Sequence, residues 1–426
     1  MTTTIIITFC ALLLIAYFFD LTAPYTRIPS VILLLMLGWF LRQISAFLPF
    51  DIPDLSEFLP LLGTIGLILI VLEGAIELEI SSAKAGLIMR SILGAVIPMF
   101  GLAFVLAFTF QYLGGYSLKD SLLNAIPFCI ISSAIAIPSV RNIRKIYKDF
   151  IVFESSISDI AGVVFFSFIL QNDVFTGASV GYSFLQFLMI MLISFVATII
   201  LSFLLHKIDH HIKFIPIILL VILIYTVSEV FELPALIFIM IFGLFLGNFD
   251  RLKDSRILER FHLGQLHQES VKFREITSEG AFIVRSMFFL LFGYLMETRE
   301  ILNPGTFTWA LGIAGLIYVV RAIQLKLSGI PLFPLLVIAP RGLITILLFL
   351  SITPQHLIGF INKSLLIQVI VLTSVVMMVG MLFVNSRRKE EATLPVEPRL
   401  LKAIEEIGES CELPEYSVSQ KDNPKP

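Results

Sequence analysis

The sequence predicts an all-α polytopic membrane protein of about thirteen transmembrane helices, built as two inverted six-helix repeats that each carry a broken helix. Three observations predict it. Apolar segments of spanning length recur along the chain, basic residues crowd into one set of loops, and two proline-interrupted segments sit at matching places in the two halves.

The apolar segments come first. Hydrophobic residues make up 57% of the 426, and charged residues only 15%. A soluble domain carries about 25% charged residues. A span needs roughly 20 apolar residues. Thirteen segments qualify: 4–19, 28–47, 59–78, 86–112, 121–142, 150–170, 183–205, 214–230, 234–249, 278–298, 304–327, 331–353 and 364–386. The first and ninth are short, which keeps a count of twelve open. The N-terminus lacks the basic start of a signal peptide and reads as a retained first span.

The loops give orientation. With the N-terminus outside, the outer loops hold four basic residues, Arg42, Lys119, Arg299 and Lys363, and the inner loops hold nineteen. Basic residues accumulate on the cytoplasmic side. This fits an odd helix count, an outside N-terminus and a cytoplasmic C-terminus, in a multi-pass protein of the cell (inner) membrane.

The proline-interrupted segments are the fifth and twelfth. Pro127 and Pro138 flank ISSAIAI, and the twelfth segment holds Pro331, Pro334 and Pro340. Proline removes a donor and clashes with the preceding turn. Paired interruptions at corresponding positions of two repeats point to a transport site.

Outside the spans, residues 251–277 alternate charged and apolar positions and predict a helix lying along the cytoplasmic interface. Residues 387–426 form a short polar tail, read as mostly disordered. Three cysteines (Cys10, Cys129, Cys411) show no CxxC or zinc spacing. A net charge of −2 gives no reason to expect a nucleic-acid partner. HExxH, GxSG-type and GxGxxG motifs are absent, so no enzyme is expected.

A charged side chain at the bilayer centre costs at least about 2.5–3.5 kcal/mol. Each therefore needs a partner or a task. The candidates are Glu73, Glu154, Asp159, Arg285, Arg321 and Arg341. Asp159 and Ser155 stand four apart, on one helix face. A carboxylate and a hydroxyl suit a small hard cation, which prefers oxygen ligands. A carboxylate taken from water also favours its protonated form, so proton and cation compete for it. Glu154 points elsewhere; the expected partner is a buried arginine, Arg341 first, unless Glu154 lies at the interface. Glu73 fits the cation site or an interfacial position equally. Arg285 and Arg321 read as structural, Arg285 by compensating broken-helix dipoles.

These stretches resemble a known family. ESSISDIAGVVFF is similar to the ESxxND sixth helix of the monovalent cation:proton antiporters, the sodium/proton exchanger superfamily. LILIVLEGAIELEI resembles that family's FxxGLELD segment, and ISSAIAIPSV its broken-helix segment with the SST or TDP signature. IVRSMFFLLFGYLME resembles RTFFFVxxGL, and APRGLITILLFLS resembles LRGxxxLAL. All five occur in the family's order, over roughly residues 5–385.

The resemblance implies a sodium/proton antiporter fold in residues 1–386. Core helices fall at about 59–170 and 278–386, and the remainder forms a dimerisation scaffold. It implies Asp159 as the ion-binding acid, with Ser155, Glu73, Ser132 and Ser133 near the ion, and Glu154 paired to Arg341. It implies exchange of Na⁺ (with K⁺ or Li⁺ as other readings) for H⁺ and no resident cofactor. Its partners are the lipid bilayer, the ions and a second copy in a homodimer. Two departures stand out: Ser158 replaces the Asn of ND, and Ile135 is read in place of the TDP Asp. A single acid implies electroneutral exchange. The alternative is a same-fold carrier of another solute, such as an organic anion, coupled to Na⁺ or H⁺.

Overall fold

The computed structural model describes residues 2–26, 28–45, 55–78, 80, 85–140, 143–172, 177–207, 214–231, 233, 235–248 and 266–393. Helix is the only regular structure among them. The first four helices are α1 (Thr2–Thr26), α2 (Ser30–Ser45), α3 (Phe58–Glu77) and α4 (Ala85–Gly114). The fifth segment is split into α5 (Leu118–Cys129) and α6 (Ser133–Ser139). Then follow α7 (Lys145–Gln171), α8 (Gly177–Lys207), α9 (Phe214–Val230), α10 (Leu236–Gly247) and α11 (Leu266–Leu295). A single turn, α12 (Thr298–Ile301), precedes α13 (Pro304–Leu327). The twelfth segment is split into α14 (Leu332–Leu335) and α15 (Leu343–Ser351), and α16 (Lys363–Thr393) ends the described chain. Counting each split pair once and setting aside the single turn α12, thirteen helical units among the described residues occupy the thirteen expected segments. Among the described residues seven helices are long and apolar enough to cross a membrane, and shorter apolar helices fill most other segments.

Local chemistry sets several ends. Ser117 caps α5 by accepting from the Asp120 N–H at 3.0 Å, and Asn303 caps α13 by accepting from Gly305 with Pro304 in the first turn. Such caps satisfy the orphan donors of a first turn. Gly329, at φ 65°, ends α13 in the left-handed region that glycine enters without strain.

Two expectations outside the spans are corrected. Residues 251–265 lie outside the described residues, and Leu266–Thr277 is continuous with the tenth span rather than a separate interfacial helix. The reason is burial: Phe273 packs against Phe214 and Phe242, and Thr277 is fully enclosed. The expected tail begins later than residue 387, because α16 runs to Thr393; residues 394–426 lie outside the described residues. Compact units divide at Met381, so Leu382–Pro426 stands by itself.

Helix contacts separate two groups. In one, α4 packs on α5, α7 and α13, and α7 on α5, α6 and α15. In the other, α11 packs on α1, α2, α3, α8 and α9, and α10 on α3, α8 and α9. Helices α3 and α11, expected in the core, pack chiefly with each other and with α10 and α2 of the second group, because glycines let the backbones touch. Gly38 of α2 lies against the Leu290 and Tyr294 backbone, Gly293 of α11 against Leu35, and Gly243 and Gly247 of α10 against the α3 backbone at Leu72 and Ile76. Small residues at this spacing permit close crossings between membrane helices. Asn248 completes the α3–α10 seam, donating to the Leu78 carbonyl at 2.7 Å and accepting from the Ile80 N–H at 2.6 Å. Helix α3 also meets the first group, on α6, α7 and α15.

Candidate functional site

Both proline-interrupted segments unwind, and they meet where they do so. Residues 130–132 are non-helical between α5 and α6, and 338–342 between α14 and α15. The Ser132 N–H donates to the Pro340 carbonyl at 2.9 Å. Gly342 permits the approach: a Cβ there would stand 2.7 Å from both the Ser132 Oγ and the Ile135 Cδ1. Ile135, read in place of the family's second acid, therefore packs on the opposing segment.

Asp159 of α7 lies at this meeting point, 1% exposed. Its Oδ2 accepts from the Ser133 N–H, the first of α6, at 3.4 Å. Its Oδ1 is buried with no hydrogen-bond partner among the described residues, and so is the Ser132 Oγ. Ser158, in the position of the family's Asn, accepts from the Ile131 N–H at 3.0 Å. The residue next to the acid thus ties α7 to the unwound backbone. Sequence reasoning noted Ser158 only as a departure; its adjacency to Asp159 was the available signal. Ser155 is fully buried on the same helix, but its hydroxyl donates to its own helix, to the Val152 carbonyl at 3.5 Å.

Arg341 lies in the second break. Its Nε donates to the Phe128 carbonyl at 2.6 Å and its Nη1 to the Ala339 carbonyl at 3.0 Å, while its own N–H donates to Thr373 of α16 at 3.1 Å. Phe128 lies in the last turn of α5, whose unpaired carbonyls carry partial negative charge. A cation thus sits at the C-terminal end of one half-helix and an acid at the N-terminal end of the next.

The expected Glu154–Arg341 pair is not formed. Glu154 bonds Arg321 of α13, Oε1 to Nη1 at 2.5 Å, and accepts from Gln324 at 2.9 Å. Arg321 and Gln324 are three apart and share a face of α13, whereas the bonded nitrogens of Arg341 go to carbonyls. Arg321 also donates to Leu335 and Ile338, so it satisfies the unwound end of α14. The sequence reading took Arg321 as structural without naming its partner, because nothing in an uninterrupted helix points to an acid 167 residues away.

Glu73 and Arg285 also differ from expectation. Glu73 of α3, half-buried, accepts from Ser278 of α11 and faces Arg285 at 4.0 Å. Arg285 therefore meets a carboxylate across the α3–α11 seam. Among the described residues no group of three His, Cys, Asp or Glu side chains could hold a metal ion.

The chain as a whole is similar to known proteins. The family described as "Sodium/hydrogen exchanger, transmembrane" matches residues 10–385. The chain's fold matches a structure of the sodium proton antiporter MjNhaP1 from Methanocaldococcus jannaschii at pH 8. The TM-score is 0.63 at 17% identity, covering 89% of this chain and 96% of that one. It matches an electron-microscopy structure of the same antiporter at a TM-score of 0.63 and 18% identity, covering 91% and 96%. No curated protein sequence matches the chain.

Proposed function

The chain belongs to the sodium/hydrogen exchanger family, and from that premise we propose that it exchanges Na⁺ for H⁺, one for one, by competition of the two ions at Asp159. One observation carries the reading: a carboxylate buried at the crossing of two unwound segments, with Oδ1 bonded to no protein donor among the described residues. An ionised, empty carboxylate inside the membrane is costly. A proton or a cation neutralises it. The loaded forms cross between the two faces of the membrane by alternating access, and the empty charged form does not. That asymmetry makes exchange obligatory.

Ser132, Ser133 and Ser155 are the neighbouring oxygens we assign to the cation, together with unwound backbone. Glu154 is held by Arg321 and Glu73 faces Arg285, which leaves Asp159 as the one exchanging acid and makes the cycle electroneutral. Glu73 therefore serves the α3–α11 seam in this reading, not the coordination shell. The scaffold helices form the contact of a homodimer, the protein lies in the cell (inner) membrane, and the N-terminus is outside.

Proteoliposome flux tests the reading. An outward proton gradient is imposed, then Na⁺, K⁺ or Li⁺ is added while internal pH is followed. Na⁺ should alkalinise the lumen most strongly, at a rate insensitive to clamped voltage, and Asp159→Asn should abolish the response. Proton movement without a cation requirement, or unchanged in Asp159→Asn, sinks the reading.

A further inference from the structure

Pairing the buried charges leaves two over. Among the described residues the charged side chains classed as buried are Glu154, Asp159, Arg285, Arg321 and Arg341. Glu154 holds Arg321, and half-buried Glu73 faces Arg285. Asp159 and Arg341 remain, held on the two sides of the first break: Asp159 by the Ser133 N–H that opens α6, Arg341 by the Phe128 carbonyl at the end of α5 and by Ala339 of its own segment. While Asp159 is ionised the two charges balance. Once Asp159 carries a proton or a cation, Arg341 has only carbonyl dipoles and no free carboxylate against its full charge inside the membrane, which is costly.

A small cavity lies beside Arg341, between α4, α13 and the second unwound segment. Arg341, Arg321, Gln324 and Ser158 form its polar wall, and Ala95 and Met99 part of its apolar one. No carboxylate lines it. The titratable neighbours of Arg341 are Cys129 of α5, Tyr318 and Arg321 of α13, and Glu154 of α7. Of these, the one acid is already bonded to Arg321.

We propose that this cavity binds a small monovalent anion of chloride size, held by Arg341 and Gln324, when Asp159 is neutralised. The inference rests on the reading of Asp159 as the exchanging acid. The anion stays with the protein, so the one-for-one exchange is unaltered. Because binding at two sites is reciprocal, the anion in turn favours the proton- or cation-loaded state of Asp159.

The test is equilibrium dialysis of radioactive chloride against purified full-length protein, over a range of pH and without Na⁺. Wild-type retention should rise as pH falls, and should rise at alkaline pH when Na⁺ is added. Asp159→Asn should retain chloride at every pH, roughly tenfold above wild type at alkaline pH, the scale of one nearby charge. Ala95→Phe fills the cavity and should lose retention while keeping Na⁺-dependent proton flux in chloride-free gluconate liposomes. Met99→Trp serves the same purpose if Ala95→Phe does not fold. The idea is overturned by absent retention, by retention that neither filled cavity lowers, or by wild-type retention that ignores both pH and Na⁺. Dialysis reads no flux. Linked retention in a protein that shows no exchange therefore supports the anion site and counts against the exchange reading alone.

Discussion

The crossing of the two broken helices and the scaffold seam around α3 solve the same problem in different ways. Both must hold helices together where the hydrophobic effect gives no advantage, since lipid is as apolar as the protein interior. The scaffold seam does it by closeness. Gly38, Gly243, Gly247 and Gly293 bring backbones into contact, and Asn248 closes the end of α3. The crossing does it by polar satisfaction. Arg321, Arg341, Ser158 and Asp159 together engage the carbonyls and N–H groups that the broken helices leave unpaired. The difference teaches what each region is suited to. Close glycine seams tolerate no displacement, whereas hydrogen bonds to unwound backbone can be exchanged as an ion arrives and leaves.

The largest effect should come at the crossing. Asp159→Asn keeps the shape and removes the charge, so cation-coupled proton flux in proteoliposomes should fall to the level of protein-free vesicles. Next, Arg321→Ala leaves Glu154 buried without its partner. Breaking one side of a buried pair costs about 3–5 kcal/mol. Thermal unfolding in detergent should show a large drop, and Glu154→Gln on top of Arg321→Ala should recover part of it. If the double variant is no better than the single one, the pair is not what holds α13 to α7.

The scaffold responds to size rather than charge. Gly247→Leu would drive a side chain into the Ile76 backbone, and overpacking costs about 1–3 kcal/mol. A loss of thermal stability is expected here, with no change in the apparent cation affinity of the protein that remains folded. Ser158→Ala is the matching probe at the crossing. It strips the Ile131 N–H of its acceptor, at about 1–3 kcal/mol, and should change cation affinity as well as stability. Equal behaviour of these two variants in the flux assay would erase the distinction between the regions.

The smallest effect is expected at the rim. His356 and Asp120 meet at 2.6 Å, joining the loop after α15 to the first turn of α5. Both are about a quarter exposed, and exposed pairs contribute about 0–1 kcal/mol. His356→Ala should leave exchange intact and lower the unfolding temperature only slightly. A larger loss would mean that this loop helps set the angle of the two broken helices.

By itself the sequence determined the thirteen helical units, the places where two of them break, and the acid beside the break. These are local properties. Spanning length follows from a run of apolar residues, a break follows from proline, and a buried acid stands out because the chain around it is uncharged. Only the tertiary structure decided which arginine holds Glu154, that Glu73 and Arg285 face one another across α3 and α11, and that α3 packs on α10 and α11 on α2. Residues 266–277 likewise became part of a long helix only when Phe273 found Phe214 and Phe242. In each case a residue's partner lies far away in the chain. Glu154 and Arg321 are 167 residues apart, and by charge alone Arg341 would serve as well as Arg321. The choice rests on geometry: α13 turns Arg321 and Gln324 toward α7, while the unwound segment spends Arg341 on the carbonyls that its own break exposes.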